Sequence, residues 1–142
     1  MRVYELLHGK GADVVTVRPE TPVAEALLLL KERNLGAVVV SPDGVAVAGI
    51  LSERDVVRRL AGGVGFLGRP VSEIMTVEVQ TCEAHDSVES LMATMTKLRI
   101  RHLPVVDDHG SLAGIVSIGD VVKSTITQLQ FERDQLEGYV TR

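Results

Sequence analysis

The strongest constraint on this chain is that it repeats itself. Shifted by 65 residues, 13–57 lies over 78–122 without a gap. Twelve aligned pairs are identical, among them Val14/Val79, Thr16/Thr81, Gly49/Gly114, Ser52/Ser117 and Asp55/Asp120. Polar and glycine positions match as well as aliphatic ones, so what is duplicated is a structural unit. About sixty residues per copy is marginal for an independent core. The two copies are therefore expected to pack on each other as one pseudo-symmetric body.

Each copy reads strand–helix–strand–strand–helix. First strands are expected at 14–17 and 77–81. Thr21 and Asp86 then stand as N-caps, with Pro22 at the first helical position. Apolar spacing predicts helices over 23–33 and 88–98. Val23, Ala26, Leu27, Leu30 and Asn34 mark one face of the first. Val88, Leu91, Met92 and Met95 mark the core face of the second. β-Branched stretches at 36–41 and 101–106 pair with 45–51 and 111–116 across Asp- and Gly-containing turns. Ser52 and Ser117 cap the second helices. The join at 61–68 reads as a flexible glycine-rich loop, and 70–75 as a short helical lead-in. The expected organisation is a first unit at 1–63, a connector and lead-in helix at 64–75, a second unit at 76–128 and a C-terminal helical tail at 129–142.

Composition narrows the function. Aromatics are only 3% of 142 residues, so the core is aliphatic. Stacking platforms for single-stranded nucleic acid are missing. The net charge of −4 and the lack of a Lys/Arg run argue against a nucleic-acid partner. Apolar runs are far too short for a membrane span, and the N-terminus has no signal-peptide core. A single cysteine, Cys82, permits no internal disulfide and suits a reducing compartment, so a cytoplasmic protein is expected. Cys82 has no evident base and reads as a small buried hydrophobe. The four histidines show no paired metal-ligand spacing. Gly63-Val64-Gly65-Phe66-Leu67-Gly68 spells a dinucleotide motif, but a helix precedes it and Pro70 follows closely, so it reads as a connector.

Four segments carry a family resemblance. Gly49-Ile50-Leu51-Ser52-Glu53-Arg54-Asp55 and Gly114-Ile115-Val116-Ser117-Ile118-Gly119-Asp120 both fit Gly-x-x-Ser/Thr-x-x-Asp at a strand-to-helix junction. Arg101-His102-Leu103-Pro104-Val105-Val106-Asp107 matches a typical middle strand, and Ser72-Glu73-Ile74-Met75-Thr76 a typical lead-in to a second copy. Together they resemble the cystathionine-β-synthase (CBS) domain family, here as a small bacterial type consisting of one pair. The fold this implies is α/β (α+β), a tandem pair of β-α-β-β-α repeats packed with pseudo-two-fold symmetry.

The resemblance implies a regulatory ligand sensor and no enzyme. No catalytic or metal residue and no required cofactor are assigned. Its ligand would be an adenine nucleotide: AMP, ADP or ATP, with NAD(H) and S-adenosylmethionine as further candidates. Asp55 and Asp120 would clamp the ribose hydroxyls, next to Ser52 and Ser117 at helix N-termini that favour phosphate. Arg54, Arg58, Arg101 and Lys123 are candidate phosphate partners. Thr16, Gly36, Ala37, Thr81, His102, Leu103 and Pro104 complete the implied site around the adenine. Simpler readings stand beside these. Ser52 and Ser117 also serve as caps, Asp55 and Asp120 as complements to the helix dipole, and Arg54 and Arg58 as a solvated surface. His102 also reads as a strand-surface residue. An Asp at the same offset in both copies favours the ligand role. The resemblance further implies a homodimer, and an unidentified regulated protein as listener. Ile118, Val122, Ile126 and Leu129 form a stripe suited to the dimer contact, with the helical segment through Tyr139 clasping the second subunit. The competing reading is a ligand-free interaction dimer that docks a partner without nucleotide.

Overall fold

The helices that apolar spacing predicts form over the same residues in the computed structural model, which describes residues 1–140. They are α2 (Val23–Arg33) and α4 (Val88–Leu98). Their caps sit one residue later than expected. The Thr21 hydroxyl is spent on the Arg18 N–H at 3.2 Å, so Pro22 itself opens α2 in an extended conformation. In the second copy Asp86 turns back to the Glu83 N–H at 2.8 Å, and Ser87 caps α4 by accepting from the Ser90 N–H at 3.1 Å. Met92 is 37% exposed and lies off the core face that Val88, Leu91 and Met95 form.

Each copy builds a three-stranded sheet. In the first, β1 (Thr16–Val17) runs parallel to β2 (Ala37–Val40), which pairs antiparallel with β3 (Gly49–Ser52). In the second, β4 (Cys82–Glu83), β5 (His102–Val106) and β6 (Leu112–Ser117) repeat the arrangement. The residues at 77–81 are not a strand. Pairing begins at Cys82, whose partner Val105 corresponds to Val40 opposite Val17. Nor does β3 extend back through 45–48. The Asp43 carboxylate takes the N–H groups of Val45 and Ala46, both at 2.9 Å, and holds that stretch as a turn.

The second helices are α3 (Glu53–Leu60) and α5 (Ile118–Val140). The latter is one continuous helix, with no break between the second copy and the tail at 129. Ile118 packs against the core of the second copy, so it leaves the expected exposed stripe to Val122, Ile126 and Leu129. The glycine-rich join is more ordered than a free loop. It makes 3-10 turns at Gly65–Gly68 and Val71–Glu73, with Phe66 and Val71 buried.

Two aliphatic cores result, and each takes in a segment from beyond its own copy. The join supplies Phe66 and Val71 to the first core. The second core receives Val3 and Leu6 from a helix that the repeat pattern does not predict, α1 (Val3–Lys10). The N-terminal residues grouped with the first unit thus belong by packing to the second. The exchange is symmetric. Val71 N–H donates to Thr21 O at 2.8 Å, and Val3 N–H to Asp86 O at 3.0 Å, where Thr21 and Asp86 are partners in the repeat. Likewise Pro70 bridges to Pro22, and Arg2 to Ser87. A Cβ on Gly49 would stand 2.5 Å from Met75 Sδ, and one on Gly114 would stand 2.9 Å from Leu7 Cδ2. Both glycines are there to let these crossing segments approach. Each exchanged Val or Leu contributes about 1.5–3 kcal/mol of burial, which locks the copies together.

Candidate functional site

The first strand-to-helix junction carries a capping box. Ser52 Oγ accepts from the Asp55 N–H at 3.2 Å, and Asp55 Oδ2 accepts from the Ser52 N–H at 2.9 Å. The second copy repeats it. Asp120 N–H donates to Ser117 Oγ at 3.1 Å, and Ser117 N–H to Asp120 Oδ2 at 2.9 Å. A capping box already calls for a carboxylate at this position. The duplicated Asp is therefore explained by local structure, and its offset alone carries no ligand role. The second oxygen is more informative. Among the described residues Asp55 Oδ1 meets the Thr76 hydroxyl alone, at 3.4 Å, so it is the less engaged oxygen of the two.

Asp55 lines a cleft of about 690 Å³ between the two copies. Its floor comes from the first copy: Gly36, Ile50, Ser52, Glu53, Arg54, Asp55, Val57 and Arg58. Its opposite wall is the end of α4 and the start of β5, from Leu98, Arg99 and Ile100 to Arg101 and His102. Thr76, Glu78, Val79 and Gln80 close one side. Four arginines therefore face a cleft that also holds a helix N-terminus, a setting for an anionic ligand with an apolar part. Arg54 reaches across it, donating from Nη1 to Arg99 O at 2.8 Å, the carbonyl of the α4 C-cap. Arg99 holds φ at 55°, a left-handed conformation, as does its repeat partner Asn34 at 53°. Burial holds the His102 imidazole below its usual value, against Glu53 and Asp120, which raise it.

Of the residues expected in the site, Gly36, Ser52, Arg54, Asp55, Arg58, Arg101 and His102 come together here. Ala37, Leu103 and Pro104 do not present side chains to it. They are buried in the strands and do not line the cleft. Thr16 lies within β1 opposite Val39, and Thr81 in the loop before β4; neither lines the cleft. Ser117, Asp120 and Lys123 gather on α5 and its cap, at the repeat-equivalent place in the second copy. Sequence reasoning missed Thr76, Glu78 and Arg99 in the cleft, and Lys10 beside Asp120. Lys10 Nζ lies 2.6 Å from Asp120 Oδ2 and 2.9 Å from Ile115 O. Burial pushes the Asp120 carboxyl up, but Lys10 and the Ser117 N–H and hydroxyl outweigh it, so it titrates below the usual carboxylate value.

The Cys82 thiol is buried and pushed up to about 12, mainly by burial and further by Asp86, which suits a packing role. Among the described residues, no group of three His, Cys, Asp or Glu side chains is placed to hold a metal ion. No described helix is long and apolar enough to cross a membrane.

Comparison with known proteins agrees with this architecture. The model of the CBS domain matches twice, over residues 10–62 and 71–126. A mitochondrial CBS domain-containing protein of Arabidopsis thaliana, CBSX3, is 36% identical over 93% of this chain and 67% of its own length. CBS domain-containing protein YhcV of Bacillus subtilis is 37% identical over 77% of this chain and 76% of its own. Among solved structures, the CBS-domain protein ATU1752 of Agrobacterium tumefaciens superposes with a TM-score of 0.84. It is 45% identical over 88% of this chain and 99% of its own. Two more distant structures hold ligands. PAE2072 of Pyrobaculum aerophilum is complexed with AMP (27% identity, 84% of this chain and 89% of that one, TM-score 0.75). The CBS pair of MJ0100 is complexed with 5-methylthioadenosine and S-adenosyl-L-methionine (25% identity, 88% and 99%, TM-score 0.78).

Proposed function

Because this chain belongs to the CBS-domain family, with two copies forming one pair, we propose that it is a regulatory module that binds an adenine nucleotide and reports its presence to a partner protein. The observation that carries the reading is the cleft at the first copy. There Asp55 with its less engaged oxygen, the N-terminus of α3 and the residues Arg54, Arg58, Arg99 and Arg101 line one space. A ribose diol would donate to Asp55, and a phosphate would take the helix N–H groups and the nearest arginines. The adenine would lie against Ile50, Val57, Val79 and Ile100, which supply an apolar surface in the same cleft. Adenine-containing ligands in the PAE2072 and MJ0100 structures support the ligand class.

The signal would travel through the wall of the cleft. Arg54 belongs to one copy and its acceptor, Arg99 O, to the other. A phosphate that draws Arg54 away would loosen that inter-copy link. Ligand binding would then favour one relative setting of the copies through its different affinity for the two states. The exposed Leu60 of α3, with Val122, Ile126 and Leu129 of α5, suits a homodimer contact through which such a change would be read.

The test is calorimetry on the nucleotide-stripped protein with AMP, ATP, NADH and S-adenosylmethionine, beside Asp55→Ala. Binding by one of them that is lost in the variant, without nucleotide turnover, is the expected result. The same exposed helix faces favour a second reading, a dimer that docks a partner with no ligand. Absence of heat from any of the four with folded, dimeric protein would decide for it.

A further inference from the structure

The two Ser–Asp junctions differ in the group that approaches them from the exchanged segment. In the first copy that group is Thr76. Its N–H donates to Ile50 O at 2.9 Å and its hydroxyl to Asp55 Oδ1 at 3.4 Å. The repeat-equivalent acceptors in the second copy are Ile115 O and the Asp120 carboxylate. Both are taken by one donor, the Lys10 ammonium, at 2.9 and 2.6 Å. A neutral neighbour on one side is thus matched by a cation on the other. Lys10 is the last residue of α1, so the packing of Val3 and Leu6 in the second core fixes where its stem begins.

We infer that Lys10 is a built-in occupant of the second clamp, closing it to a ribose diol and leaving the first cleft as the nucleotide site. The inference rests on the reading of Asp55 and Asp120 as diol clamps. Its physical basis is the asymmetry of displacement. A diol arriving at Asp55 competes with one long hydroxyl contact and strands no charge. A diol arriving at Asp120 must part an ion pair whose side chains are only 32% and 23% exposed. The freed ammonium would keep a single neutral acceptor, and a partly buried ion that loses its counter-ion is disfavoured. A diol that left the pair intact would have Asp120 Oδ1, the same single oxygen that Asp55 offers once Ser52 holds its Oδ2, but on a carboxylate already paired with an ammonium, so it would be the weaker acceptor. Lys10 therefore determines the inequality of the two clamps and the number of ligands a chain takes.

Two measurements on the full chain test this. Calorimetry with AMP, ATP and S-adenosylmethionine compares wild type, Lys10→Met and Lys10→Met/Asp120→Ala. Carboxyl-carbon NMR then follows the titration of Asp120 without ligand. Wild type is expected to take one equivalent per chain, Lys10→Met two, and the double variant one again. The Asp120 midpoint is expected to rise in Lys10→Met. Two equivalents in wild type, or an unchanged stoichiometry in Lys10→Met, overturns the inference. If none of the three ligands binds any variant, the nucleotide reading has failed by itself. The NMR arm then decides separately: a raised Asp120 midpoint upholds the occupied clamp, and an unmoved one refutes it. Lys10→Gln, which can still donate to Ile115 O, replaces Lys10→Met should that variant fail to fold.

Discussion

The two copies share a scaffold and differ at its openings. Both present a capped helix after a buried strand, both end their first helix in a left-handed residue, and both receive a crossing segment over a glycine. At the first opening Arg54 and Arg58 stand where the second has Gly119 and Lys123. The first Asp has a threonine beside it and the second a lysine. Duplication fixes what the backbone needs. The side chains around the openings differ, and on the proposed reading that difference leaves one working site and one closed one.

The largest effect should come from the clamps themselves. Asp55→Ala removes acceptors for charge-assisted hydrogen bonds, each worth about 1.5–3 kcal/mol, so nucleotide binding should weaken by about a hundredfold or more. Asp120→Ala should change it by less than about threefold. Equal losses in calorimetry would erase the distinction between the clefts.

Next come the crossing points. At Gly49 an added methyl would meet Met75 Sδ at 2.5 Å and also the Thr76 backbone oxygen at 2.9 Å. At Gly114 the three nearest atoms all belong to the Leu7 side chain, which can turn aside. Gly49→Ala should cost about 1–3 kcal/mol and Gly114→Ala less than about 1 kcal/mol, read by denaturant melts. The reverse order would mean that α1 is the more rigid of the two crossing segments.

Much of this was legible in the sequence because it depends on local chemistry. The spacing of Val23, Ala26 and Leu30 gave α2 its bounds, and the Ser–Asp offset marked both helix starts. The strand at 77–81 was misplaced because Val77-Glu78-Val79-Gln80-Thr81 alternates as a strand would, while the deciding fact, the pairing of Cys82 with Val105, is tertiary. Helix α1 and Lys10 were invisible for a deeper reason. They lie outside the 65-residue alignment, and they act on the copy farther away in sequence. The exchange pairs Val3 with Val71 and Leu7 with Met75, an offset that appears only once both crossings are seen.

A smaller effect concerns acid. The Asp120 carboxyl is held below its ordinary value of 3.8. Its contribution to stability is therefore present above that value and is lost as pH falls through the lower, folded one. Lys10→Met should reduce stability by on the order of 1 kcal/mol at neutral pH, as for a partly exposed pair. The gap between variant and wild type should close below about pH 3.8 in melts taken down to pH 2. A gap that persists in acid would assign the loss to packing of the lysine stem instead of to the ion pair.

The smallest effect is the most pointed, because stability and binding should move in opposite directions. Arg99 and Asn34 end equivalent helices in the same left-handed conformation, with φ of 55° and 53°. Asn tolerates that conformation well, and Arg does so at some strain. Arg99→Asn should therefore raise stability by about half a kcal/mol, since the Arg99 carbonyl that Arg54 uses is kept. The same change removes a guanidinium from the first cleft, so nucleotide affinity should fall severalfold. Asn34→Arg in the other copy should lower stability and leave the first cleft untouched, because Asn34 does not line it. Were Arg99→Asn to stabilise the chain without weakening binding, the arginine would be a surface residue at an awkward turn. A gain in one and a loss in the other would show that the strain is kept for the sake of the ligand.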